Sequence, residues 1–411
     1  MNVEFARSQF PSLGGETVYF DNGGGSQVLR PVLDRLQDYL LTSNVQHGAS
    51  YEASKAASGR LDEAQRAMAT LLNADDPTEI VMGPSTTALL RTLAASLGRT
   101  LEPGDQIVVT NGDHEANIGP WLELERHGAE VRFWEVSPDT GELRLDDLEA
   151  LLGPRTRIVA VTHASNILGS INPIRAISDA VHAHDAWLCV DGVGFAPHRS
   201  VDVRALDADF YVFSFYKTFG PHHAVLYGRR AHLLDLPGLN HSFVPEDDIP
   251  YKFQPGSVNY ELSYAMLGLM DYLGALASGG DVGHPETTVA LPRASIDRAF
   301  DLIADYEERL SARLLDFLAT KERARVVGST RADREIRVPI ISFVVDGVGS
   351  ERIVRRVDDH GIGIRHGHFY SPRLLGALGL PRGDGVVRVS MVHYNTIEEI
   401  DRLTTLLDPL I

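Results

Sequence analysis

From about residue 79 the chain alternates short apolar runs with amphipathic stretches. The runs are EIVMG (79–83), QIVVT (106–110), EVRFWEV (130–136), TRIVAVTHAS (156–165), AWLCVDGV (186–193), ADFYVFSFY (208–216) and AVLYG (224–228). They are rich in Val, Ile and Tyr and bounded by Gly, Asp and Asn, which reads as strands buried on both faces. Between them, TALLRTLAASLG and NPIRAISDAVHAHD follow the helical period. This alternation predicts an α/β fold whose large domain holds a mostly parallel, seven-stranded sheet covered by helices.

After about residue 285 the rhythm changes. ASIDRAFDLIADYEERLSARLLDFLATKER keeps three- and four-residue apolar spacing throughout and reads as one long helix. ISFVVDG, a helix around SERIVRRVDDHG, GIGIRHG, VVRVSMV and the helix TIEEIDRLTTLLDPL follow. The expected organisation is an N-terminal segment, 1–20, packing with the small domain, a large domain over 21–284, and a small α+β domain over 285–411. Residues 238–256 read as a loop that either connects elements or lines a site.

Charge and composition narrow the function. The 411 residues carry 38 Lys and Arg against 56 Asp and Glu, a formal charge of −18. That balance argues against broad binding to nucleic acid or anionic membranes. One cysteine, Cys189, permits no intramolecular disulfide and no cysteine metal cluster, and no metal is expected. The first residues lack the apolar stretch of a secretion signal, and no apolar run approaches the ~18 residues of a membrane span. A cytoplasmic location is expected. Four lysines are present, Lys55, Lys217, Lys252 and Lys321, so chemistry that needs a primary amine has few candidates.

Of these, Lys217 follows a buried strand, in FSFYKTFGP, and Asp191 ends the preceding one, in WLCVDGV. Ligands of open α/β sheets sit outside the carboxyl ends of strands. An aspartate and a lysine there can grip opposite sides of a pyridine aldehyde: the lysine forms a Schiff base and the carboxylate keeps the ring nitrogen protonated. A structural ion pair would use the same two residues. Ser85, Thr86 and Thr87 in GPSTTALL open a helix whose free N–H groups suit a phosphate, although simple capping explains them as well. Ser214 could add a hydroxyl. His114 and Asn166 also fall at strand ends.

Taken in order, these motifs resemble the class V aminotransferases, in their cysteine desulfurase-like branch of fold-type I pyridoxal phosphate enzymes. The resemblance runs through YFDNGGGSQ (19–27), GPSTTALL (83–90), DHEANIGPW (113–121), SNILGSINP (165–173), VDGVG (190–194), FSFYKTFGP (213–221), PGSVN (255–259), IGIRHGHF (362–369) and VRVSMVHYNT (387–396). It implies pyridoxal 5'-phosphate as cofactor and an L-amino acid as substrate. Lys217 would carry the Schiff base, Asp191 pair with the ring nitrogen, His114 stack on the ring and Asn166 meet its phenolate oxygen. Thr86, Thr87 and Ser214 would hold the phosphate, with Tyr216 beside Lys217. Ser257 matches a hydroxyl donated by the partner subunit, which implies a homodimer with shared sites. Arg388 would clamp the substrate carboxylate, with Arg365 and Asn22 nearby.

The departures are informative. Ser85 replaces a glycine of the phosphate turn, Gly194 stands where desulfurases carry a glutamine, and Tyr216 replaces a histidine. Tyr370 occupies the place of the desulfurase cysteine, while Cys189 lies inside a strand. The expectation is therefore a lyase-type β-elimination, at a carbon–sulfur bond among other options, without a cysteine persulfide. A class V aminotransferase or an epimerase is the alternative, and a noncatalytic binding protein of this fold the second.

Overall fold

The computed structural model describes residues 1–280 and 291–411. The expected boundary between 284 and 285 lies outside the described residues. Seven strands form the large sheet, in the order Ile80–Gly83, Ala224–Gly228, Phe210–Ser214, Trp187–Asp191, Thr156–Thr162, Gln106–Thr110 and Glu130–Trp134. All seven apolar runs thus become strands. Six point the same way, and Ala224–Gly228 runs antiparallel to both its neighbours. Four of the strands are shorter than their apolar runs because the last residues of those runs turn out of the sheet. The strand ends at Thr162 and Asp191 and the residues that follow them, 163–166 and 192–194, build the site.

Side chains alternate between the two faces, as the pleat requires. Val159, Val161, Leu188, Val190, Tyr211 and Phe213 enter one apolar cluster. Ile158, Ala160, Cys189, Phe210 and Val212 enter the other. Both faces are therefore dry, and the polar groups of the strands are free only at their ends. Helices Thr86–Leu97 and Ile174–His182 lie against opposite faces and bury Leu89, Leu90 and Leu93, and Ile177 and Val181, respectively.

A second sheet is antiparallel throughout, in the order Arg365–Gly367, Val386–Ser390, Ile340–Val345 and Ala324–Val327. The long helix Arg293–Ala319 and the helices Ser350–Asp358 and Ile397–Leu407 share a core with it, through Leu310, Leu314, Phe343, Ile353, Val387, Val389 and Leu403. The N-terminal segment joins this core. Val18–Tyr19 pairs in parallel with Ile362–Gly363, and Val18 and Phe20 are buried there. Asp21 continues the pairing by bridging to Ser390. The following residues, from 22 to 27, run on to the large sheet, where Ser26 N–H donates to the carbonyl of Tyr216 at 2.9 Å.

Asp209 anchors the sheet edge opposite the site. It is buried and accepts hydrogen bonds from His182 Nε2 at 2.8 Å, His232 Nε2 at 2.8 Å and the N–H of Leu188 at 2.7 Å, and the Arg229 guanidinium forms an ion pair with it, Nε 3.2 Å away. Burial works against its charge, but these donors outweigh it and hold the carboxyl below the usual carboxylate range. Asp209→Asn should cost about 3–5 kcal/mol, because it breaks a buried charged cluster on one side only. Chemical denaturation at pH 7 measures this. A depressed carboxyl stabilises above its unfolded pKa and ceases to as pH falls, so the gap between variant and parent should narrow below about pH 4.

Candidate active site

The carboxyl edge of the large sheet gathers the expected groups. Asp191 is the last residue of its strand and is 4 % exposed. Its Oδ1 accepts the N–H of Val193 at 2.9 Å. Burial raises its carboxyl to about 6, against the pull of that bond and of Lys217. Two glycines follow because the chain is crowded here. A Cβ on Gly192 would lie 2.1 Å from the Tyr211 ring, and one on Gly194 would lie 2.5 Å from the carbonyl oxygen of Ala164. No side chain fits at Gly194, which gives the missing glutamine a local physical reason.

Lys217 ends the short 3-10 turn Phe215–Lys217 that leaves the next strand. Desolvation, then the charge of Arg388, lower its amine to about 8, while Asp191 and Asp21 pull the other way. The remaining lysines are engaged elsewhere. Lys55 pairs with Glu52 and Lys321 with Asp408. Lys252, expected in a loop, is buried and donates to the carbonyls of Leu234 and Glu246.

His114 caps the turn Glu115–Asn117, its Nδ1 accepting the N–H of Ala116 at 3.0 Å. Desolvation, together with Lys217 and Arg388, lowers its pKa to about 4. The ring is therefore neutral at pH 7, with its proton on Nε2. A clamp behind it was not anticipated. Asp113 is buried and accepts from Thr110 Oγ1 at 2.5 Å and Asn117 Nδ2 at 2.7 Å, which fixes the loop that carries His114. Another unforeseen group is His163, whose ring stacks on Phe195 at 3.5 Å and whose Nδ1 meets the Tyr211 hydroxyl at 2.9 Å.

Helix Thr86–Leu97 begins at the same edge. Ser85 caps it by accepting the N–H of Ala88 at 3.1 Å. The Thr86 and Ser214 hydroxyls lie 2.7 Å apart and are buried, while Thr87 is exposed. Two hydroxyls and a helix N-terminus make an anion-binding donor set. Tyr216 lies half-buried next to Lys217, its ring stacked on His222 at 4.9 Å. Ser257 is exposed on this chain.

Arg388, from the small sheet, is 2 % exposed. It donates to Asp21 Oδ1 at 2.7 Å and to the carbonyl of Asn166 at 3.1 Å, and its guanidinium stacks on Phe369 at 3.8 Å from the ring centre. Its Nε is buried without a hydrogen-bond partner. Arg365 sits beside it in register, more exposed, with Nη1 3.7 Å from the other oxygen of Asp21. Asp21 also borders a cleft of about 310 Å³ lined by Tyr19, Gly24, Gly25 and Gly363. Two sequence candidates are engaged within the protein. Asn22 donates to the carbonyls of Tyr19 and Ser390 and accepts from Tyr394, so its side chain is a structural tie. Asn166 donates to the carbonyl of Phe369 and accepts from Ser371.

This set of residues can be placed among known proteins. A family model described as aminotransferase class-V matches residues 18–278 and 295–403. The chain belongs to the class V aminotransferase family. It is 43% identical to "Aminotransferase-like protein FGM3" of Gibberella zeae, over 99% of this chain and 98% of that protein. It is 36% identical to "Cysteine desulfurase-like protein ustD" of Aspergillus flavus, over 100% of this chain and 91% of that protein. The crystal structure of the cysteine desulfurase CsdA from Escherichia coli superposes with a TM-score of 0.83 at 27% identity, covering 100% of this chain and 98% of that one. The protein is thus an enzyme of a pyridoxal phosphate-dependent family with the fold-type I α/β architecture.

The residues fit that cofactor: a primary amine of lowered pKa, a buried carboxylate, a neutral flat ring and an anion-binding helix end share one strand edge. Among the described residues, no group of three or more His, Cys, Asp or Glu is placed to hold a metal ion. None of the described helices is long and apolar enough to cross a membrane. For the apoprotein, reductive labelling with pyridoxal and borohydride should mark Lys217. The labelling rate should rise about tenfold per pH unit and level off near pH 8, well below the ~10.4 of an exposed lysine. Peptide mapping across pH checks both points. A label on another lysine, or a midpoint above 10, would reject the assignment.

Proposed function

We propose that this class V family member acts on an L-amino acid by lyase-type β-elimination, at a carbon–sulfur bond among the candidate bonds, without a cysteine persulfide. The observation that carries this reading is the contrast between Lys217 and Cys189. The amine stands at the site with a pKa near 8. The one thiol is fully buried inside the sheet's core, two residues before Asp191 on its strand, among Ile158, Ala160, Phe210 and Val212. Burial, then nearby carboxylates, push that thiol well above its ordinary range, whereas a sulfur-accepting cysteine must be exposed and ionised.

Bound pyridoxal phosphate would supply an electron sink for negative charge at the substrate α-carbon. Thr86, Thr87, Ser214 and, from a partner copy, Ser257 would hold its phosphate. Asp191 would face the ring nitrogen, His114 would cover the ring, and Asn166 and Tyr216 would border it. Arg388 orients the substrate through its carboxylate, with Arg365 at the approach. Lys217 takes the α-proton on Nζ, and its lowered pKa keeps a useful fraction of the amine neutral near pH 7. Loss of a β-substituent from a substituted alanine then releases that group, with pyruvate and ammonia after hydrolysis. A cytoplasmic homodimer with shared sites is part of this proposal, as is the division into an N-terminal segment 1–20, a large domain 21–284 and a small domain 285–411. The pairing of Val18–Tyr19 with Ile362–Gly363 supports placing the N-terminal segment with the small domain. Transamination or epimerisation would also begin at Lys217, and product analysis over an amino-acid panel separates the three.

Arg388→Ala should weaken amino-acid binding by about 2–5 kcal/mol while the cofactor spectrum stays intact, since it leaves a desolvated carboxylate unpaired. Unchanged affinity for every active substrate would contradict this role. Cys189→Ser should retain turnover of any proven sulfur substrate. A well-folded, cofactor-loaded variant without turnover, together with a persulfide trapped on Cys189 in the parent, would overturn the β-elimination reading.

A further inference from the structure

The turn from Arg365–Gly367 to the helix Pro372–Ala377 holds two consecutive bulky residues in the left-handed region, Phe369 at φ 47° and Tyr370 at φ 59°. Large side chains rarely adopt that conformation and keep it only where their surroundings enforce it. Here the enforcement comes from two loops of the large sheet. Asn166 Nδ2 donates to the carbonyl of Phe369 at 2.9 Å, and the N–H of Glu115 donates to the carbonyl of Tyr370 at 2.8 Å. Ser371 Oγ donates to Asn166 Oδ1 at 2.9 Å, and Arg373 pairs with Glu115 at 2.8 Å. Phe369 is thereby pressed onto the guanidinium of Arg388. Tyr370 leans on His114, with ring centres 5.2 Å apart, yet stays 63 % exposed, and its hydroxyl makes no hydrogen bond among the described residues.

We propose that Tyr370 is the residue that selects the substrate's side chain, a fixed aromatic wall beside His114 that limits the bulk allowed beyond the β-carbon. The inference rests on the amino-acid reading of the site given above. Its geometry follows from adjacency. Phe369 backs the arginine that receives the α-carboxylate, and the next residue, one Cα step of ~3.8 Å away, presents its ring to the same space. The β-substituent of a bound amino acid lies within a few ångströms of its carboxylate and has to pass this ring. The anchored backbone cannot swing the ring aside as a mobile loop would.

The test uses the holoenzyme and a panel of L-alanines that carry a β leaving group of rising bulk, from serine and cysteine to S-methyl-, S-phenyl- and S-benzylcysteine. Binding is read from the cofactor's absorbance and turnover from product release. Tyr370→Gly removes the ring and suits the left-handed backbone, so its melting temperature should not fall. The ratio of kcat/KM for bulky over small substrates should rise at least tenfold in Tyr370→Gly and stay within twofold of the parent in Tyr370→Phe. A uniform change across the panel in Tyr370→Gly would overturn the inference alone. So would a shift in Tyr370→Phe as large as that in Tyr370→Gly, because the hydroxyl and not the ring would then be selecting. A parent enzyme that answers to no amino acid of the panel would overturn the amino-acid reading and this inference with it.

Discussion

Arg388 carries a positive charge where water scarcely reaches, and much of the site follows from holding it there. A buried charge has to be paired and hydrogen-bonded, or it destabilises the fold. Its partners come from three separate parts of the chain: Asp21 from the N-terminal segment, the Asn166 carbonyl from the large sheet, and the Phe369 ring from the small one. Gly23 completes the enclosure, since a Cβ there would lie 3.1 Å from the guanidinium carbon. One side chain thus couples the N-terminal pairing, the small sheet and the carboxyl edge of the large sheet.

Its charge also sets the chemistry around it. Lys217 and His114 are both pushed toward their neutral forms by desolvation, and Arg388 adds to each effect. A neutral amine can take a proton, and a neutral imidazole can lie against a flat ring without repelling the cations nearby. Asp191 moves in the opposite sense, raised by burial yet drawn back by Lys217. Groups whose environments drive their proton affinities apart are the mark of acid–base work. The contrast with Asp209, on the opposite edge of the same sheet, is instructive. Its carboxyl is equally hidden, but direct donors hold it ionised, and it ties strands together.

The large sheet and the ends of its strands were legible in the sequence because two-sided burial writes an unbroken apolar run, and the first polar residue after such a run marks the sheet edge. Asp191, Lys217, His114 and Asn166 were all found at or just beyond such run ends. Local capping chemistry made Ser85 and Thr86 legible too. The antiparallel direction of Ala224–Gly228 left no trace, because a strand buried on both faces has the same composition whichever way it runs.

What the sequence by itself determined is the set of chemical groups and the edge at which most of them gather, since both depend on local pattern. Tertiary structure decided the pairings between distant segments. Asp21 and Arg388 are 367 positions apart and meet only because Val18–Tyr19 docks beside Ile362–Gly363. Asn22 looked available to a substrate until the fold surrounded it with Tyr19, Ser390 and Tyr394. Phe369 and Tyr370 have no intrinsic preference for a left-handed backbone, and hydrogen bonds from the loops of Asn166 and Glu115 impose it on them. Hydrophobic period is a property of neighbours along the chain. Charge compensation and backbone strain are properties of neighbours in space, and folding alone supplies those.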